Sequence, residues 1–222
     1  MIEYDKPMDI ERRSFEIITQ LLGEQVIPAE NELVVKRVIH TTADFDYAEN
    51  LAFSDHAVAQ GIAALRAGCD IVTDTQMARS GINKRVLEGL GGQVHCFMSE
   101  AEVAALAGRR GSTRAAASMR WAAEHVKKPC IFAVGNAPTA LLELGELIRG
   151  GALSPALVIG VPVGFVNVVE SKERLFAVCT QYGVPAIVAM GRKGGSNVAA
   201  AICNALIYSA AEMLDPAARG WQ

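Results

Sequence analysis

The chain has 222 residues, 51% of them hydrophobic, 20% charged and 6% aromatic, with a formal net charge of −3. That length and apolar content suit one globular domain over residues 1–222 with a large core of Ala, Val, Ile and Leu. The acidic balance speaks against a general nucleic-acid binder, and no apolar run approaches the ~18 residues of a membrane span.

Cys69, Cys96, Cys130, Cys179 and Cys203 are odd in number, widely spaced and free of any C-x-x-C pairing. They read as free thiols in a reducing compartment, with no disulfide and no zinc site. The first residues, Met1 to Lys6, lack signal-peptide architecture, so the expectation is a cytoplasmic protein.

The first helix is predicted over 9–22, with Ile10, Phe15, Ile17, Ile18 and Leu21 apolar and Ser14 inside it. A mid-helix serine usually faces solvent or its own backbone, so a functional use needs a pocket beside it. Pro28 is expected to open a second helix, running to Ile39 with Val34, Val35 and Val38 inward. Arg37 and His40, three residues apart, share a face if the last turn persists. After Asp46 come a short apolar segment, Leu51 to Phe53, and a helix over 55–67. From there Val/Ile-rich runs alternate with helices. Strands are predicted at 69–73, 94–98, 130–134, 156–160 and 186–190, and helices at 83–90, 101–106, 113–126, 138–148, 172–182 and 197–214. This alternation predicts a doubly wound α/β domain, a mostly parallel sheet of about five strands covered by helices on both faces. The tail from Pro216 is expected to be loose or used at an interface.

Ligands of such sheets collect beyond the carboxyl ends of the strands. Four polar loops fall there: 73–81, 135–139, 160–167 and 191–197. Each taken alone is ordinary turn chemistry. Together, with helix N-termini nearby and Arg192 and Lys193 in the last, they form a cradle for phosphates or carboxylates. No P-loop, no G-x-G-x-x-G after a strand and no G-x-S-x-G elbow occurs. His56, His95 and His125 lack ligand spacing and read as structural, so no metal is implied. The stretch from Val38 to Tyr47 is different: it gathers His40, Thr41, Thr42, Asp44 and Asp46 at the end of a helix. His40 is either a surface histidine or an acid–base group, because an imidazole exchanges its proton near neutral pH.

The chain resembles the precorrin-8X methylmutase family, whose anaerobic members act on cobalt-precorrin-8. The likeness runs from Ile10 to about Leu214. It rests on Ser14, on 37–47 (RVIHTTADFDY), on 74–82 (DTQMARSGI), on 162–172 (PVGFVNVVESK) and on 191–196 (GRKGGS). It implies an isomerase of cobalamin biosynthesis that moves a methyl group from C-11 to C-12 of the macrocycle, giving hydrogenobyrinate or its cobalt form. The rearrangement is intramolecular, so no redox cofactor or methyl donor is implied. The family's catalytic histidine falls on His40, which protonates, or shares a proton with, a ring nitrogen; substrate contacts fall on Ser14 and Arg37. A flat polycarboxylate ring needs apolar walls, which Met77, Val163, Phe165 and Val166 can supply. It also needs donors around its rim, for which Thr75, Arg79, Arg114, Arg192, Lys193 and Ser196 are candidates. The resemblance further implies a homodimer. Two other readings use the same loops: a corrinoid carrier in which His40 is dispensable, and a phosphate-ligand enzyme built on 191–196.

Overall fold

In this computed structural model, which describes residues 7–219, the central strands are short, near-continuous apolar runs buried on both faces, as a covered parallel sheet requires. β1 (Leu51–Phe53), β2 (Asp70–Thr73), β3 (Val94–His95), β4 (Cys130–Val134), β5 (Leu157–Gly160) and β6 (Ala186–Ala189) form one sheet. Their order is β1-β6-β5-β4-β2-β3, with β1 antiparallel to β6 and every other pair parallel. Side chains alternate across a strand. Ile71, Ile131, Ile159 and Ile187 therefore face one core, and Val72, Phe132, Val158 and Val188 face the other.

The helices are α1 (Pro7–Leu22), α2 (Glu32–Thr42), α3 (Tyr47–Asn50), α4 (Ala57–Arg66), α5 (Gln76–Gly81), α6 (Lys84–Gly89), α7 (Ala101–Arg110), α8 (Arg114–His125), α9 (Pro138–Arg149), α10 (Val168–Tyr182) and α11 (Ser196–Ala210). α2, α4, α6 and α11 contribute to the first core; α8, α9 and α10 contribute to the second. α11 is buried along most of its length because its apolar residues surround it instead of forming a stripe. α2 packs on α11, and α1 lies outside α2.

Numbering the five parallel strands β2 to β6 as one to five, their spatial order is 2-1-3-4-5. The winding reverses between β2 and β4, and a crevice opens beyond the carboxyl ends of strands at such a point. β1 runs the other way. Its first residue, Leu51, pairs with Ala189, the last of β6, and Met190 N–H donates to Asn50 O at 2.7 Å. The end of α2 and the following loop are thereby delivered to the carboxyl edge of the sheet.

Several expected boundaries move. The sheet has six strands rather than about five, because the short segment 51–53 pairs along β6. β3 shrinks to two residues at the far edge, and 96–98 leave the sheet. Pro28 does not open α2: Asn31 N–H donates to Pro28 O in a preceding turn, and the helix begins at Glu32. It then continues beyond Ile39 to Thr42, with Ala43 closing it in the left-handed region at φ 54°. Residues 76–81, read as loop, form α5 on the Thr75 side-chain cap. The tail is not loose as far as Arg219. Residues Pro216–Arg219 make a 3-10 turn, and Arg219 is buried.

Candidate functional site

The continuation of α2 past Ile39 puts Arg37 and His40 one turn apart, and α1 presents a matching face. Glu11, Ser14 and Phe15 stand at i, i+3 and i+4 and so share one side of α1. Ser14 Oγ lies 2.9 Å from His40 Nδ1. The Phe15 and His40 rings stack with centroids 5.2 Å apart at 23°. The serine hydroxyl can donate to a bare Nδ1 or accept from a protonated one, so it fixes the ring while leaving either tautomer open. Nε2 makes no hydrogen bond to any described residue and is the nitrogen available to a ligand.

Behind this pair lies an ion cluster that the sequence did not announce. The Glu11 carboxylate takes Arg37 NH1 at 2.6 Å and Arg219 NH1 at 2.7 Å. The Arg37 guanidinium sits 4.7 Å over the Phe15 ring and 5.4 Å from the Tyr208 ring, and Arg219 sits 4.0 Å from Tyr208. Arg37, expected to grip a substrate carboxylate, has its NH1 engaged by Glu11, while its buried Nε has no partner among the described residues. Burial lowers the His40 pKa from 6.5, Arg37 and Arg219 lower it further, and Glu11 partly restores it. The surroundings of the imidazole in the free protein thus favour its neutral form. Burial raises the Glu11 pKa, but its two arginines more than reverse that and hold the carboxyl below the usual range.

The loops at the carboxyl edge are stitched to one another. Asp74, at the end of β2, is buried and accepts N–H groups from Gly135, Asn136 and Ala137 at 2.8–2.9 Å, bridging the switch point between β2 and β4. Thr75 Oγ1 lies 2.8 Å from Ser196 Oγ, joining the start of α5 to the start of α11. Gly195 N–H donates to Val161 O, tying the loop after β6 to the end of β5. Lys193 Nζ reaches Asp44 at 2.6 Å and Asp46 at 2.5 Å, clasping that same loop to the segment after His40. Hydrogen bonding to Lys193 holds the Asp44 pKa down, and the two carboxylates push the lysine's up.

The expected site residues therefore fall into three groups. Ser14, Arg37 and His40 meet directly. Thr75, Ser196 and Lys193 stand on neighbouring loops, but engaged with protein partners. Arg79 Nε donates to Val94 O, so this arginine braces β3. Arg192 is exposed on the β6–α11 loop. Arg114 is exposed at the start of α8, which Thr113 Oγ1 brings within 2.7 Å of Thr139 Oγ1 at the start of α9. Met77, Val163, Phe165 and Val166 are 72%, 49%, 87% and 77% exposed and give this edge an apolar surface. His95 is taken up by Asp70, with Nε2 2.9 Å from its carboxylate. The missed residues are Glu11, Phe15 and Arg219. Only the repeat of the Arg37–His40 spacing in Glu11–Ser14 hinted at two of the three elements meeting.

The Precorrin-8X methylmutase family model matches residues 9–209. The cobalt-precorrin-8 methylmutase of Salmonella typhimurium is 47% identical over 208 residues, which cover 91% of this chain and 95% of that protein. The precorrin-8X methylmutase of Pseudomonas aeruginosa is 42% identical, over 93% of this chain and 98% of that one. The crystal structure of precorrin-8X methyl mutase from Thermus thermophilus superposes with a TM-score of 0.82 at 43% identity, covering 91% of this chain and 98% of that one.

Proposed function

The chain belongs to the precorrin-8X methylmutase family, and from that premise we propose that it isomerises precorrin-8X or cobalt-precorrin-8 in cobalamin biosynthesis, with His40 as the proton-transferring group. The observation that carries the assignment of His40 is its setting. It is a half-buried imidazole, fixed through Nδ1 by Ser14 and through its face by Phe15, with Nε2 left over at the end of the helix that the sheet delivers to its ligand edge. A pure carrier would have no need of so constrained an imidazole.

The chemistry asked of the protein is modest. The methyl group leaves C-11 and bonds to C-12 of the same macrocycle, so atoms and electrons balance without a second reactant. The protein holds the ring flat and moves one proton at a ring nitrogen. Met77, Val163, Phe165 and Val166 provide apolar contact, and Arg114, Arg192 and the loop N–H groups provide donors for the carboxylates. His40 gains basicity when a polycarboxylate arrives beside it, because nearby negative charge favours imidazolium. His40→Ala tests the role. Turnover should fall by roughly 10²–10⁴-fold while hydrogenobyrinate still binds. A variant that keeps the normal rate removes His40 from catalysis and favours the carrier.

The working unit we propose is a homodimer of one-domain chains in the cytoplasm. Ile10, Ile17 and Leu21, spaced seven and four apart along α1, are all exposed and support a second copy on that face. The five cysteines are free and buried, as suits a reducing compartment. Sedimentation giving a stable monomer would remove the dimer.

A further inference from the structure

Lys172 is fully buried, yet its ammonium faces no carboxylate among the described residues. Nζ donates instead to two backbone carbonyls, Gly191 O and Lys193 O, each at 2.8 Å. Burial alone pulls its pKa down to about 8. The charges on neighbouring elements are engaged or exposed: Lys193 on Asp44 and Asp46, Arg174 on Glu146, Glu143 on Arg120, with Arg192, Glu170 and Glu173 exposed. An uncompensated buried ammonium is a cost to folding of the kind that functional sites retain.

The two carbonyls it holds determine where two N–H groups point. In a planar trans peptide the N–H lies opposite the C=O, and the described chain has no cis bond. Turning Gly191 O and Lys193 O onto Lys172 turns the N–H of Arg192 and the N–H of Gly194 away from it. Neither N–H has a hydrogen-bond partner among the described residues, although the neighbouring Gly195 N–H is used on Val161 O. Gly194 lies close against the end of β5, where a Cβ would fall 2.1 Å from Val161 O, so no side chain fits at this position. The same loop carries Lys193, which grips the segment after His40. Two N–H groups left free on the side away from the ammonium are donors that an anionic oxygen can take up.

We propose that the Arg192 and Gly194 N–H groups, aligned by Lys172, form a subsite for one rim carboxylate of the macrocycle. The subsite rests on the methylmutase reading for the identity of its ligand, and it makes Lys172 a positioning residue rather than a catalytic one. A carboxylate docked there favours the charged lysine, so binding near pH 8 takes up a proton and affinity falls as the pH rises through that range.

The test is to titrate hydrogenobyrinate into the full-length protein. Amide nitrogen–proton spectra should show the Arg192 and Gly194 signals moving downfield, and calorimetry in two buffers of different ionisation enthalpy should show proton uptake near pH 8. Lys172→Met should bind roughly tenfold more weakly or worse, the worth of a charge-assisted hydrogen-bond pair. If other amides respond while those two stay fixed, or if folded Lys172→Met binds as tightly as the natural chain, the subsite is wrong and the methylmutase reading stands. No binding by the natural chain overturns that reading and the subsite with it. Should Lys172→Met fail to fold, the spectra and proton uptake of the unaltered protein decide.

Discussion

An imidazole whose Nδ1 meets a serine hydroxyl has one nitrogen to offer. Ser14→Ala removes that partner while Phe15 still stacks on the ring. Turnover should drop roughly tenfold with substrate affinity little changed, the scale of one hydrogen bond. Steady-state kinetics separate the two, and a pure KM effect would make Ser14 a binding group only. His40 also marks the pH dependence of stability. Its folded pKa lies below 6.5, so between the two values the unfolded chain binds more protons. Its contribution is full above 6.5 and is lost as the pH falls through the folded value. His40→Gln should therefore lose less stability than the natural chain between pH 7 and about pH 5, as urea unfolding would read. At this scale the sequence was legible where candidate polar groups cluster in one stretch, as in 37–46, which the structure sets beside α1 and the β6–α11 loop. It was silent on Glu11 and Arg219, whose partnership spans 208 positions and leaves no local pattern.

Elements were legible to the degree that burial made them periodic. The run Cys130 to Val134 is buried throughout and matches its prediction to the residue. β1 is three residues long: the sequence marks 51–53 as apolar, but its strand character is borrowed from β6 and is not local. α10 starts four residues before the predicted 172, with Asn167 ahead of it in a left-handed conformation at φ 57°. The join between β4 and α11 is another tertiary fact. A Cβ on Gly135 would sit 2.7 Å from Ser196 Cα and 2.9 Å from Gly195 O, both backbone atoms that cannot swing aside. Gly135→Ala must therefore push α11 away from the switch point. It should destabilise by about 1–3 kcal/mol and disturb the Thr75–Ser196 contact. Thermal unfolding measures the first and a crystal structure the second; an unchanged melting temperature would mean the loop has slack that the packing does not show.

At the scale of the molecule, both ends of the described chain converge on one carboxylate. Glu11 belongs to the outermost helix and Arg219 to the final turn, and both bear on the charge of His40 from behind Arg37. Residues from α1 and from the last described turn thus set the electrostatics around His40, the group proposed to move the proton. Opposite charges at the two ends make opposite predictions. Arg219→Gln removes a cation that suppresses imidazolium, so the alkaline limb of kcat/KM should move to higher pH. Glu11→Gln removes the anion that, among the described residues, supports imidazolium, so the limb should move to lower pH. Both variants should lose stability, by about 2 kcal/mol for Arg219→Gln because Glu11 keeps Arg37, and by more for Glu11→Gln because two buried guanidinium groups are left facing each other. Loosening of the helix alone would move both limbs the same way or neither. Opposed shifts in paired pH–rate profiles are therefore the signature of charge control from Glu11 and Arg219, and shifts of one sign would reduce the cluster to a structural clasp.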